Sequence, residues 1–383
     1  MPRRTDGGQR QLAFFGAFCL FLSGLELLVP KPLPFLRMGL ANMPVLLSLR
    51  LYSPRFTLAL CALKIAGQAV INGTLFSYIF LFSSAGSLAS AALMLACSRL
   101  FGEKMSLAGI GVLGSLASNL AQILFARYFL LGEGAWLIAP PFLALGTAAG
   151  FFLGLFAELM YRKSAWIARL RAADTAQACP LVNGAPQAAG SASAGFYALC
   201  GALSIFPFLF TGSLAGKLGL TALYIVLAAG SGRRIRALPN IVLVLTVTAA
   251  HCVTPFGKII FTLGSFPVTE GALRTGLFRS ATLIGLVYLS RLTVRPGLRF
   301  PGKAGRVFSA MLSDFERITG CGVKLERKNF RAGLDRLLEA VYRSGGTAGT
   351  GKVTPEAAPP PGFARRAVWL GFAALHWAVF ALA

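Results

Sequence analysis

Residues 161–194, YRKSAWIARLRAADTAQACPLVNGAPQAAGSASA, are the least hydrophobic interior piece of the chain, and their reading decides the fold. Arg162, Lys163, Arg169 and Arg171 follow directly on a long apolar run, and such a cluster is retained on the cytoplasmic side of a membrane. From Ala172 to Ala194 large apolar residues become scarce while Pro and Gly recur, so this portion reads as a flexible linker. Apolar blocks flank it on both sides. The chain therefore reads as two membrane modules joined in the cytoplasm.

Bulk composition agrees. Hydrophobic residues make up 56% of the 383 residues and charged residues 13%, against about 45–50% and about 25% in soluble domains. The net charge of +24 sits between apolar runs rather than along one soluble face, which favours positive-inside topology over nucleic-acid binding. The seven cysteines form no CxxC pair, and Cys19, Cys61, Cys97, Cys200 and Cys252 lie within apolar segments as small hydrophobes. Neither a disulfide framework, a metal site nor a cofactor is implied. MPRRTDGGQR followed by an apolar run superficially fits a signal peptide, but no small-x-small cleavage site precedes a hydrophilic domain. Leu12–Val29 thus reads as a retained first helix with its N-terminus inside.

The first block divides into apolar segments near Leu12–Val29, Met38–Leu49, Phe56–Ile71, Tyr78–Cys97, Leu107–Leu131 and Leu137–Met160. Turns holding Arg50 with Arg55, Arg99 with Lys104, and the Arg162 cluster are read as inside, giving six spans with both ends cytoplasmic. The second and third segments are short. The exception to the charge pattern is PKPLPFLRMGLANMP, where Lys31 and Arg37 fall on the outer side; its prolines predict a broken or re-entrant element. Polar residues recur at membrane depth. Lys64 with Gln68 and Asn119 with Gln122 each share a helical face, and a lysine at mid-span must face a cavity or a partner. Arg37, Asn42, Lys64, Gln68, Asn119 and Gln122 are the candidate substrate-binding residues, expected to take a ligand with an anionic or carbonyl-rich head and an apolar body. Gly146, Gly150 and Gly154, and Ala13 with Ala17, supply small-residue packing surfaces.

In the second block, apolar segments recur near Phe196–Phe210, Ser213–Ala229, Leu238–Val253 and Ala272–Leu292, with a loop at 251–271 that is outside or re-entrant. Beyond Pro296 two amphipathic stripes follow. One carries Val307, Phe308, Met311, Leu312, Phe315 and Ile318; the other carries Phe330, Leu334, Leu337, Leu338, Val341 and Tyr342. They are expected to lie on the inner leaflet or dock into a cytoplasmic partner. Ala367–Ala383 is a last apolar run, barely long enough to span.

PFLRMGLANMPVLLSL, KIAGQAVINGTLFSYIFLFSSAGSLAS and GVLGSLASNLAQILFARYFL resemble the membrane family called Gx transporter or heptaprenyl diphosphate synthase component I. That family is similar in architecture to the six-helix substrate-binding (S) subunits of energy-coupling factor transporters. The similarity covers about Gln11–Tyr161, with Gly39-Leu40-Ala41-Asn42 its most specific motif; Ser118-Asn119 stands where the family has a His-Asn pair. TPFGKIIFTLGSFPVTEGALRTGLFRSATLIGLVYLSRL resembles the coupling (T) subunit of the same transporters. The second resemblance implies coupling roles for Thr269, Glu270 and Arg274 and, on the amphipathic helices, Leu334 and Leu338.

No GxxxxGK[ST] pattern occurs, so ATP hydrolysis would come from separate cytoplasmic ATPase subunits. No aspartate-rich cluster suits a Mg²⁺-diphosphate clamp. The expectation is an all-α, polytopic inner-membrane protein that is not itself an enzyme. It divides into a six-helix S-like module (1–161), a cytoplasmic linker (162–194), a T-like membrane module (195–295), amphipathic cytoplasmic helices (296–344), a flexible linker (345–366) and a short apolar helix (367–383). The T-like part would contribute about four to five helices. The expected function is the membrane component of an energy-coupling-factor-like small-molecule transporter. The alternatives are an accessory component of isoprenoid or quinone synthesis and a scaffold of a flavin or redox complex.

Overall fold

A computed structural model describes residues 8–28, 39–173, 192–232, 235, 237–253, 256–263, 266–294, 302–321, 329–344 and 363–382. The chain is helical, apart from one two-stranded hairpin among these residues. Among the described residues, three stretches, Pro54–Ile71, Tyr78–Phe101 and Leu107–Lys163, are long and apolar enough to cross a membrane, and mark a membrane protein.

In the first block, α1 (Gln9–Leu28) is followed by a 3-10 turn (Leu40–Asn42), α2 (Met43–Leu51), α3 (Pro54–Ile71), α4 (Tyr78–Phe101), α5 (Leu107–Ala126) and α6 (Ala135–Lys163). The expected second span is only the nine-residue α2. At about 1.5 Å rise per residue it cannot cross a bilayer. It ends at Tyr52, and Ser53 then caps α3, its side chain accepting from Phe56 N–H, with Pro54 at the first helical position.

α5 and α6 form an antiparallel pair. Their register follows the small residues: Gly111 lies against Gly150 and Gly154, Ser115 against Gly150, and Asn119 against Gly146. A Cβ at Gly154 would fall 2.5 Å from the Leu107 carbonyl oxygen and 2.6 Å from Ala108 Cα, both backbone atoms that cannot swing aside. Gly154→Leu is therefore expected to destabilise the chain by about 3 kcal/mol or more. Gly219→Ala, at a helical position with nothing near its Cβ, should leave stability unchanged or slightly raised. Chemical unfolding in lipid nanodiscs checks both.

The basic turns gather at one end of the bundle. Arg50 donates to the Met105 carbonyl in the α4–α5 turn, and Glu158 accepts from Leu107 N–H and pairs with Arg162. The linker expected over 162–194 begins instead with an ordered helix, α7 (Ala165–Ala173). Its Trp166, Ile167 and Leu170 are buried, with the Trp166 ring 5.7 Å from Phe14 and 5.5 Å from Phe15 of α1. A three-residue apolar stripe within a basic segment is enough to dock it. Residues 174–191 lie outside the described residues.

The second block comprises α8 (Ala192–Phe210), α9 (Leu214–Gly230), α10 (Ala237–Cys252) and α11 (Glu270–Thr293), followed by α12 (Gly302–Gly320), α13 (Phe330–Ser344) and α14 (Phe363–Leu382). α11 packs against α8, α9 and α10. The loop expected at 251–271 contains strands β1 (Ile259–Leu263) and β2 (Phe266–Thr269), paired antiparallel with Leu263 opposite Phe266. β-branched and aromatic residues on either side of Gly-Ser favour that hairpin over a helix. The last apolar run starts earlier than expected, at Phe363. Its His376 contacts the Tyr224 hydroxyl of α9 and the Phe372 carbonyl, and Trp377 stacks on Phe206 of α8 at 5.9 Å.

The largest departure from expectation concerns α12 and α13. Their apolar stripes stay within the chain: Val307, Phe308, Met311 and Ile318, and Leu334, Leu337, Leu338 and Val341, join one core with α1, α2 and α7. Periodicity showed that these faces are buried but not what covers them. α12 runs along α1. Met311 enters a notch of two glycines, where a Cβ at Gly16 would lie 2.8 Å from its Sδ and one at Gly67 2.7 Å from its Cε. Gly16 shares a helical face with Ala13, three residues before it, and Ala13 and Ala17 are both fully buried. α13 in turn caps α7: Asp335 accepts from Ala165 N–H at 3.0 Å, from Trp166 N–H at 3.3 Å and from the Ser164 hydroxyl. Arg169 pairs with Glu339.

Candidate functional site

A cavity of about 80 Å³ opens among α1, the 3-10 turn, α3, α4 and α5. Its floor is set by a left-handed glycine. Gly39 has φ 77°, and Asn42 N–H donates to its carbonyl at 2.7 Å, closing the turn. That turn touches both charged groups of the cavity. Leu40 N–H donates to Glu26 Oε2 at 3.2 Å, and Asn42 Oδ1 accepts from Lys64 Nζ. Lys64 is 3% exposed and Glu26 5%, so a base and an acid are both sequestered at the same wall.

Helical spacing brings the rest. Lys64, Gln68 and Asn72 fall on one side of α3; Ser115, Ser118, Asn119 and Gln122 fall on one side of α5; Ser83 and Ser87 come from α4 and Ser23 from α1. Gly86 of α4 and Gly146 of α6 make room for these polar side chains, because a Cβ at Gly86 would collide with Gln122 and Ser118, and one at Gly146 with Asn119. Gln122 Nε2 donates to Ser118 Oγ at 3.0 Å. Gln68 Oε1 and Asn119 Nδ2 are buried without a hydrogen-bond partner, a cost of about 1–3 kcal/mol for each orphaned group.

Of the expected binding residues, Asn42, Lys64, Gln68, Asn119 and Gln122 line this one cavity; Arg37 lies outside the described residues. Glu26 was missed. Its signal was a lone acid, LSGLELLVP, near the end of an otherwise apolar helix, which the membrane cost of a carboxylate should have flagged.

The expected coupling residues do not converge. Thr269 caps α11, its Oγ1 accepting from Phe256 N–H at 3.3 Å and Ala272 N–H at 3.4 Å. Glu270 and Arg274 are exposed and form no ion pair with each other. Leu334 and Leu338 are fully buried and offer no open docking face. The two blocks meet elsewhere. Ser290 of α11 accepts from Phe76 N–H at 3.1 Å and donates to the Gly73 carbonyl at 2.7 Å, and His251 of α10 lies 3.1 Å from the Leu130 carbonyl.

Together these features define a helical membrane protein with a small polar cavity inside its first helical block. Residues 15–160 match the family model described as heptaprenyl diphosphate synthase component I, and residues 195–296 match that of a domain of unknown function, DUF8519. The first block is thus similar to that family, whereas the likeness of the second block to a coupling subunit receives no support from these matches. No curated protein and no solved structure matches the chain.

Proposed function

We propose that this chain is the integral membrane component of an energy-coupling-factor-like small-molecule transporter, with an S-like solute-binding module over residues 1–161 fused to a T-like module over 195–295. The observation that carries this reading is the cavity, where a buried lysine stands beside the orphaned Gln68 and Asn119 amides within a bundle otherwise built for lipid. Buried polar groups without partners are costly, and a solute relieves that cost. The packing of α12 on α1 supports a coupling role, since it joins the chain beyond the second block to the helix that bears Glu26. With Leu334 and Leu338 enclosed, separate ATPases would meet the outer face of α12 and α13, where Lys303, Arg306 and Arg336 are exposed. The test is purification in native lipid followed by mass spectrometry of bound solutes and subunits. A recurrent solute together with an ATPase supports the proposal, and the absence of both ends it.

The name of the matching family suggests a second reading, an accessory component of prenyl diphosphate synthesis. The same experiment separates them, because a catalytic prenyl synthase would then co-purify in place of an ATPase.

The topology proposed with this function is inner-membrane and multi-pass, with the basic end and N-terminus cytoplasmic. Cys321 is exposed just beyond α12, and Cys179 lies in the linker sequence. A membrane-impermeant maleimide should label both in inverted vesicles and neither in intact cells. Labelling from outside would invert the orientation.

A further inference from the structure

We infer that the β1–β2 hairpin is a membrane-interface anchor, seated in the lipid headgroup layer with its apolar side chains against the upper acyl chains. Three successive residues of β1, Ile259, Ile260 and Phe261, are 57%, 54% and 53% exposed. Neighbouring strand residues point to opposite faces, and the irregular register between Ile259 and Phe261 brings at most two of the three to one side. Both faces of the strand are therefore apolar and open. A docking protein covers one face, whereas a surrounding medium reaches both. In water the three side chains stay unburied. In the bilayer interior the sheet, two strands wide among the described residues, would leave the unpaired N–H and C=O groups of its edges without partners. The headgroup layer meets both needs, because water and polar lipid atoms reach the edges while acyl chains reach the side chains. The loop expected at 251–271 as outside or re-entrant is thereby narrowed to a position at the membrane surface.

The surroundings of the hairpin agree. Leu238, Ile241 and Leu245 form an exposed apolar stripe along α10, and exposed Val253 and Phe256 carry it on to β1. The open apolar surface of the hairpin thus continues that of the helix before it. Lys258 is exposed immediately before Ile259, where a long aliphatic stem can lie along the apolar surface while the ammonium meets lipid phosphate. The base of the hairpin is fixed. Glu270 N–H donates to the Lys258 carbonyl at 2.9 Å, and Thr269 Oγ1 accepts from Phe256 N–H at 3.3 Å. Gly271 lets Phe256 close against the start of α11, since a Cβ there would fall 2.5 Å from the Phe256 ring. A rigid base holds the three apolar residues outward before lipid is met, so no ordering of the strand is needed on insertion. Because the same threonine caps α11, seating the hairpin also sets the height of that helix in the membrane.

The experiment uses the full chain in lipid nanodiscs, with Cys179→Ser and Cys321→Ser to remove competing thiols. A nitrobenzoxadiazole label is placed on Ile260→Cys, and the same chain without Ile260→Cys gives the background. Emission is read with nitroxide on the lipid headgroup, with nitroxide at the end of the acyl chain, and with iodide in the water. The expected result is the largest loss of emission from the headgroup nitroxide and a small loss from the chain-end nitroxide. Quenching by iodide with no loss from either nitroxide places the hairpin in water and overturns the inference. A larger loss from the chain-end nitroxide makes the hairpin a deep re-entrant element and overturns it too. Protection from all three quenchers means that protein covers the strand, whether a segment of this chain or a partner, and the anchor is then rejected. Should Ile260→Cys not fold, Ile259→Cys and Phe261→Cys carry the label with the same expected order of quenching.

Discussion

If the cavity binds a solute as proposed, replacing Lys64 with methionine is expected to strip the purified protein of that solute and to destabilise it, while adding Glu26→Gln in the same chain returns stability without returning the solute. Lys64 and Glu26 are buried in one wall. Removing the cation alone leaves a carboxylate at membrane depth, a change that costs about 3–5 kcal/mol when one member of a buried charged set is deleted. The double variant replaces both charges with groups of similar length, so most of that loss is recovered. Under the proposed function, solute retention follows a different rule, since it would use the ammonium itself. A direct contact worth about 2 kcal/mol corresponds to about 30-fold weaker retention, and this loss should appear in the single and double variants alike. Denaturant midpoints in nanodiscs and quantitative mass spectrometry of released solute read the two effects separately. If the double variant regains both stability and solute, Lys64 is a structural ion-pair member and the cavity loses its principal ligand contact.

How much of this was legible from the sequence depends on the range of the interaction. Within one helix the periodicity is enough: Lys64 with Gln68, and Asn119 with Gln122, fall on shared faces and end around one cavity, and Gly146, Gly150 and Gly154 form the contact surface for α5. Between helices it is not. The stripes of α12 and α13 announce buried faces in sequence, yet their cover is α1 and α7, some 170 to 330 positions away, and no local pattern encodes such a pairing. α7 was read as linker because its basic residues and the Pro/Gly-rich stretch after it outweigh Trp166, Ile167 and Leu170. The tie that fixes it, Asp335, sits far along the chain on α13. Glu26 was overlooked for the opposite reason: one charged residue near a helix end looks like an edge marker until the Gly39 turn folds back onto it.

The burial of those stripes makes the second large-effect prediction a contrast between two faces of one helix. Leu338→Glu places a carboxylate where Leu338 is fully enclosed alongside Leu334 and Met311, and an unpaired buried charge costs several kcal/mol. The cheapest relief is for α13 to leave the core, and with it goes the Asp335 cap on Ala165 and Trp166. α7 should therefore lose protection together with α13. A loss of about 3 kcal/mol gives hydrogen exchange at least about 100-fold faster across both helices, while the distant α5–α6 pair stays protected. Arg336 is exposed on the outer face of α13. Arg336→Glu should leave exchange in α7 unchanged and weaken the association of any co-purifying ATPase by reversing a surface charge that the proposed partner would meet. The opposite pattern would return the apolar stripe to the role of docking face: Leu338→Glu releasing the ATPase while α7 keeps its protection, and Arg336→Glu having no effect on association. In that case the packing of α13 onto α1 and α7 would be one position of a helix that moves to its partner.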